Sequence, residues 1–480
     1  MKNMTLENIA SACGGRLHFK APGLTAAGLG FGTCGEGELP WTEREASCVV
    51  IDSRRLEAGG VFVAARGERV DGHDFIEKAA QSGALGVVCE REPQECRIPY
   101  ILVEDSFKAL RDIAEYYRMQ LSIPVIGITG SVGKTSTKEM IAGVLSQGFE
   151  TLKTEGNFNN EIGLPLTVLR IRPEHEAAVV EMGISDFGEM HRLSRIARPD
   201  ICVMTNIGQC HLENLGSREG ILRAKSEIFD FMNPDGHIFV NGDDDMLLTV
   251  KAKGKNRPVR FGMDPANDVY ASGVESLGLA GLRTVVHMDT WAFPVDIPLP
   301  GAHMVYNALA AAAVGKCLGL SREQIRSGIA GVAAVNGRSH VISLATCTVI
   351  DDCYNANPVS MRAAIDLLSA ALTRKVAVLG DMFELGERER EMHGEIGAYC
   401  VEKGIDVIIC TGELSRFAYE EACRRRGNAD CVYYFRTRDE MMSELPGILR
   451  QGDSILVKAS HGMRFETVVE LLQTGFQKIK

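Results

Sequence analysis

One stretch limits this chain more than any other. VIGITGSVGKTSTKEM (125–140) is an apolar run, a glycine turn, a Lys-Thr pair and then a helical pattern. Strand, turn and helix in that order gather backbone N–H groups at a helix N-terminus, where phosphate is held. Gly130 and Gly133 let the backbone turn inward, and Ser131, Val132 and Ser136 complete the loop. Lys134 is placed to reach the β- and γ-phosphates of a nucleotide, and the Thr135 hydroxyl to bind Mg²⁺. The motif is the short form G-x-x-G-K-T, because Ile128 stands where the longer phosphate-loop pattern has its first glycine.

The loop sits in a chain of 480 residues, which at about 150 residues per domain suggests about three domains. Hydrophobic residues at 45% and charged residues at 24% exclude a mainly disordered chain. A net charge of −11 argues against a general nucleic-acid binder, so phosphate must be met by a local cation cluster. No apolar run approaches the ~18 residues of a membrane helix. The N-terminus carries Glu7 and polar residues where a signal peptide has an apolar core, so a cytosolic location is expected. The 14 cysteines include no C-x-x-C pair, which excludes zinc-ribbon patterns and favours reduced, buried thiols.

Pattern shifts divide the chain at 1–121, 122–335 and 336–480. The first region has strand-like runs at 48–52, 60–65 and 100–105, then a helical stretch from Phe107 to Met119, and breaks at Ser122-Ile-Pro124. The second alternates strand and helix, with further buried runs at 177–182 and 201–207, and predicts a parallel sheet covered on both faces. The third repeats that alternation at 348–351, 376–380, 407–410 and 454–459, and predicts a second, Rossmann-like unit.

Ligands of open α/β sheets lie at the carboxyl ends of the strands. Glu181 closes one middle strand. Thr205 and Asn206 close another, and His211 follows them. Alone, Glu181 is as well explained as a loop carboxylate and His211 as a surface imidazole; beside a phosphate loop they become site candidates. Lys225 falls inside the apolar stripe of SREGILRAKSEIFDFM (217–232). Such a lysine snorkels, pairs or is modified; a buried amine has a lowered pKa and can take up CO₂ as a carbamate. TEGNFNNEIGLP (154–165) reads as an amide-rich loop suited to a polar substrate or as a solvated turn. Asn307 stands at the start of an alanine-rich helix, where a cap is the plain alternative.

These pieces, in this order, resemble the ATP-dependent Mur ligases of peptidoglycan synthesis, over essentially the whole chain. The short phosphate loop, Glu181, His211, Lys225, Asn307, Gly337-Arg338 and Asp352 match the family pattern. GNFNNEIGLP (156–165), DDCYNANP (351–358) and LGDMFELG (379–386) resemble the member that adds D-alanyl-D-alanine to a UDP-N-acetylmuramoyl-tripeptide. IDSRRLEAGGVFVAARGERVDGHDF (51–75) resembles the family's uridine-nucleotide domain.

The resemblance implies three α/β domains: uridine-nucleotide-binding, phosphate-loop ATPase-like and Rossmann-like. It implies a ligase in which ATP activates the tripeptide carboxylate as an acyl phosphate. By motif, Lys134 holds the γ-phosphate, Thr135 and Glu181 one Mg²⁺, and His211 with N-carboxylated Lys225 a second. Asn159 and Asn160 face the γ-phosphate or acyl phosphate, Asn307 the adenine, and Arg338 and Asp352 the nucleotide upon domain closure. His303 and Tyr354 are secondary nucleotide contacts. Ser53, Arg54, Asp71, Gly72 and His73 line the uridine diphosphate site, and Asn355 and Asn357 lie near dipeptide or nucleotide. A monomer without nucleic-acid or membrane partners is implied. One departure stands out: Ala459-Ser460-His461 occupies the place of the usual Gly-Ser-Arg, with Arg464 the nearby replacement. Two other readings are a folate polyglutamate ligase, which shares the short loop but lacks a uridine domain, and a nucleotide switch, which needs no carbamate.

Overall fold

The computed structural model describes residues 1–18, 43–94, 98–252 and 257–474. Three sheets follow one another along the chain. The first has five strands: Arg16–His18 pairs antiparallel with Tyr100–Leu102, followed by Gly86–Cys89, Val61–Val63 and Val49–Val50 in parallel. The expected runs are strands here, and the expected helix is Ser106–Arg118, capped by Asp105 through the Lys108 N–H. The Gly86–Cys89 strand and the Leu6–Ala12 helix were not foreseen.

The middle sheet has nine strands, and the phosphate-loop strand Val125–Thr129 lies between Ala177–Glu181 and Ile201–Met204, both parallel to it. The expected parallel sheet continues into an antiparallel edge: Val269–Ser276 joins Val259–Gly262 in parallel, and Leu282–Met288 and Trp291–Ile297 extend it antiparallel. Their inward residues alternate with outward ones, as in Leu282, Thr284, Val286 and Met288, the pattern of a sheet with one wet face. The third sheet has six strands in the order His340–Ser343, Thr348–Asp351, Ser454–Lys458, Lys375–Gly380, Val407–Thr411 and Val432–Phe435. It is parallel apart from its first, antiparallel edge.

The first and middle sheets share one hydrophobic core, running from Met4 through Ile113 and Val125 to Val240. Two side chains pin their junction. Tyr117 donates its hydroxyl to Ile171 O at 2.6 Å, and buried Arg118 donates to Ala197 O at 2.8 Å and pairs with Asp200 at 3.0 Å. Among the described residues the 12 cysteines are free thiols and no helix is long and apolar enough to cross a membrane. Cys34 and Cys96 lie outside the described residues.

Candidate active site

All of Val125–Thr129 is buried, and the chain leaves it at Gly130 with φ 151°. A Cβ at Gly130 would stand 1.9 Å from Thr205 Oγ1, so the close approach demands glycine. Gly133, at φ 85°, opens the Lys134–Leu145 helix. The next strand end braces the loop: Asn206 Oδ1 accepts from the Val132 N–H and its Nδ2 donates to Val132 O, both at 2.9 Å. Ser131 Oγ accepts from the Gly208 N–H at 2.9 Å. Lys134 Nζ donates to Gly130 O at 2.8 Å. Burial pulls the Lys134 pKa down and the Glu181 charge opposes that shift, which places the two groups in one field.

Asn307 is not a cap. It lies in the second turn of the His303–Cys317 helix, whose N-cap is Ala302. Its Oδ1 accepts from Thr137 Oγ1 at 2.9 Å, which packs it behind the loop. Buried Lys138, one turn beyond Lys134, was missed; its Nζ donates to Thr154 O at 2.8 Å, and Thr154 Oγ1 accepts from the Glu181 N–H at 3.0 Å. The helix behind the loop thereby holds the carboxylate strand in register.

Glu181 is 1% exposed. Its Oε1 accepts from Asn159 Nδ2 at 2.8 Å, while Oε2 is buried with no hydrogen-bond partner. A buried carboxylate oxygen without a donor is costly unless a cation meets it. Lys225 is also 1% exposed, on the Arg218–Ser226 helix, and among the described residues no carboxylate pairs with it. Burial brings its pKa down to about 8, and Lys134 adds to the shift. The shift enlarges the neutral fraction of the amine, the form that reacts with CO₂. His211 stands on left-handed backbone (φ 53°) before the short Leu212–Leu215 helix, and burial lowers its pKa. Among the described residues no three His, Cys, Asp or Glu side chains converge as a ready cage. The donors are an orphaned carboxylate oxygen, the nearly buried Thr135 hydroxyl, an imidazole and a modifiable amine. The carboxylate and hydroxyl oxygens suit Mg²⁺, which takes few protein oxygens and fills its shell with phosphate and water; the amine would join them only as a carbamate.

A cavity of about 470 Å³ opens over the loop. Ser131 through Ser136, Asn159, Asn160, Glu181 and His211 line it from the middle region. His303 adds to that side, and Arg338, Asp352, Tyr354, Asn355 and Asn357 close it from the third region, with Lys458. Asn307 and Lys225 are not part of this lining. Arg338 stacks on Tyr354 at 3.9 Å, and among the described residues its guanidinium meets no carboxylate. Asp352 is spoken for: Oδ1 accepts from the Ser339 N–H at 2.8 Å and Oδ2 from Lys458 Nζ at 2.5 Å. It clamps the 335–339 junction, as Asp351 does through the Gly337 N–H at 2.7 Å. Asn357 caps the Pro358–Ser369 helix in a capping box with Ser360, a signal legible in Asn-Pro-Val-Ser. Asn355 Oδ1 accepts from the Ala356 N–H. His461 tilts against Tyr354 with ring centroids 5.4 Å apart, and Arg464 offers its carbonyl to Arg438.

A second cavity, of about 610 Å³, lies between the first two sheets. Asn160 lines both cavities. Asp52 and Arg55 enter this second space, with Phe158 under the Arg55 guanidinium at 5.9 Å and Arg170 and Arg172 beyond. Arg170 Nη1 is buried without a hydrogen-bond partner. The five expected uridine-site residues are not in its lining. Ser53 is buried, and Arg54 turns to solvent and pairs with Asp52 at 2.8 Å, holding that carboxyl at about 2. Asp71 accepts from His73 Nδ1 at 2.7 Å, and His73 Nε2 accepts from the Glu90 N–H at 3.0 Å. Gly72 packs under Ala65 O, where a Cβ would come within 2.7 Å. Arg55 and Arg170 had only their charge to mark them in the sequence.

Comparison with known proteins finds three family models along the chain. The Mur ligase middle domain matches residues 128–315, the Mur ligase glutamate ligase domain 337–461, and the Mur ligase family catalytic domain 45–118. The UDP-N-acetylmuramoyl-tripeptide–D-alanyl-D-alanine ligase of Bacillus subtilis is 38% identical over 88% of this chain and 92% of its own length. MurF from Acinetobacter baumannii superposes with a TM-score of 0.85 at 33% identity, covering 98% of both chains. MurF from Thermotoga maritima, solved in complex with ADP, gives 0.77 at 30% identity over 89% of this chain and 97% of that one.

Proposed function

The chain belongs to the Mur ligase family, and on that premise we propose that it joins D-alanyl-D-alanine to UDP-N-acetylmuramoyl-tripeptide with ATP, through an acyl phosphate. One observation carries the reading. A single cavity brings the phosphate loop, the orphaned Glu181 oxygen and the unpaired Arg338 together, and Asn160 joins it to a second, arginine-lined cavity. The product is the UDP-linked pentapeptide.

The first cavity takes ATP, with its phosphates in the loop N–H groups and on Lys134. The second takes part of the UDP-tripeptide, whose anionic groups suit Arg55, Arg170 and Arg172. The tripeptide carboxylate then meets the γ-phosphate beside Asn160. Lys134 and Arg338 neutralise the charge that two approaching anions would otherwise oppose. One Mg²⁺ would be held by Thr135 and Glu181 and a second by His211 and the carbamate of Lys225, and together they would supply charge neutralisation and alignment of the phosphoryl oxygens. The amine of the dipeptide attacks the acyl carbon, loses a proton and releases phosphate. His303, Tyr354, Asp352, Asn355 and Asn357 shape the wall from which that amine arrives, and Asn307 supports the loop from behind. Ser53, Arg54, Asp71, Gly72 and His73 shape the first domain around its nucleotide.

In this reading residues 1–121 carry the UDP substrate, 122–335 the ATP site and 336–480 the dipeptide side. The enzyme works as a cytoplasmic monomer, since one chain supplies every group named. ADP release by the purified protein tests the reading. Release requires UDP-tripeptide and D-alanyl-D-alanine together; equal release with D-alanine, with a single L-amino acid or with a folate and glutamate overturns it.

A further inference from the structure

The LGDMFELG segment has no part in the chemistry above, yet it is held with unusual care. Asp381 Oδ1 accepts from the Ser415 N–H and hydroxyl, both at 2.7 Å, and Asp381 O accepts from the Ser460 N–H at 3.0 Å. The Met382 N–H donates to His393 Nε2 and the Phe383 N–H to Ser460 Oγ, both at 2.9 Å. Three consecutive residues are thus tied to three different elements. The next, Glu384, takes left-handed backbone at φ 62°, as His211 does at 53°. Non-glycine residues held there cluster at working sites. Oε2 of Glu384 lies 2.6 Å from Nδ1 of His211, across the junction between the third and middle domains. The approach lies off the hydrogen-bond axis, as in catalytic sites that tighten only with ligand. Leu212, next to His211, packs on the third domain's core.

The geometry points to Glu384 as a positioning residue: it draws the His211 proton to Nδ1, so that Nε2 presents its lone pair to the metal. Carboxylates behind metal-bound imidazoles fix tautomer and ring direction in this way. An ordinary surface ion pair would need neither the tethering of residues 381–383 nor left-handed backbone at both partners. His211 and its orienter belong to different domains. The imidazole therefore takes its working direction where the third domain is docked. The inference rests on the reading of His211 as a metal ligand, and the test separates the two.

Mn²⁺ binding to the full chain in the presence of ADP, followed by electron paramagnetic resonance, reads the site without turnover. Glu384→Ala is expected to weaken Mn²⁺ about 10- to 100-fold, with Glu384→Gln in between. His211→Ala weakens it at least as much, and Glu384→Ala adds nothing further in that background. If His211→Ala weakens Mn²⁺ and Glu384→Ala does not, the positioning role is overturned. If His211→Ala leaves Mn²⁺ binding unchanged, the ligand reading falls and this inference with it. Glu384 is 56% exposed, so its variants are expected to melt with the parent, which a thermal scan checks.

Discussion

Asn159 donates its amide to Glu181 Oε1 at 2.8 Å, joining the amide-rich loop to the end of the strand beside the phosphate loop. That hydrogen bond satisfies one carboxylate oxygen and leaves the other facing no donor. Glu181→Gln keeps the shape and removes the charge. We expect kcat to fall at least about 100-fold with the melting temperature unchanged or raised, because the isolated negative charge is costly without metal. Lower stability with normal turnover would contradict this.

Lys225 gives a prediction with its own signature. Lys225→Ala abolishes ligation, and added short-chain carboxylate partly restores it. Carbon-13 bicarbonate given to the parent yields a carbamate resonance that the variant lacks. Unchanged turnover in Lys225→Ala would remove the amine from the site.

The second cavity predicts a split between kinetic constants. Arg170→Ala raises KM for the UDP-tripeptide by about tenfold, the cost of one charge-assisted hydrogen bond, and leaves KM for ATP unchanged. A rise in KM for ATP instead would place the nucleotide in the wrong cavity.

Arg118 ties the first domain to the middle one. It is nearly buried, and its truncation removes the cation beside Asp200 and the donor of three backbone carbonyls, those of Leu121, Ala197 and Arg198. Arg118→Ala is expected to cost about 3 kcal/mol in urea unfolding, and a loss below about 1 kcal/mol would show that the junction does not depend on it.

His393 predicts a pH effect. Burial lowers its pKa below the usual 6.5, and Nε2 must stay unprotonated to accept from the Met382 N–H. A group with a lowered histidine pKa contributes stability above the unfolded pKa, lost as pH falls through the folded value. Protection of the Met382 amide, corrected for intrinsic exchange, should decline as pH drops below about 6.5. A flat profile would contradict the assignment.

The residues that announced themselves in the sequence are those whose chemistry is local. Gly130 to Thr135 could be placed because strand, turn and helix are contiguous, and Glu181 because it closes an apolar run. Lys225 was legible because a charge in an apolar stripe is an anomaly. Asp352 matched its motif, but its carboxylate is taken up by Ser339 and Lys458, neither foreseeable without the fold. Arg55, Arg170 and Glu384 gain meaning only when distant segments meet. The antiparallel edge after Val269 was missed because its Asp289-Thr290 turn lies among alternating residues outside every recognised motif.

The central claim is that the tripeptide carboxylate is phosphorylated before the amide forms. Oxygen-18 placed in both positions of that carboxylate tests it directly, by mass spectrometry of phosphate and product. The account predicts one labelled oxygen in each phosphate released and one in each new amide. Unlabelled phosphate would contradict it.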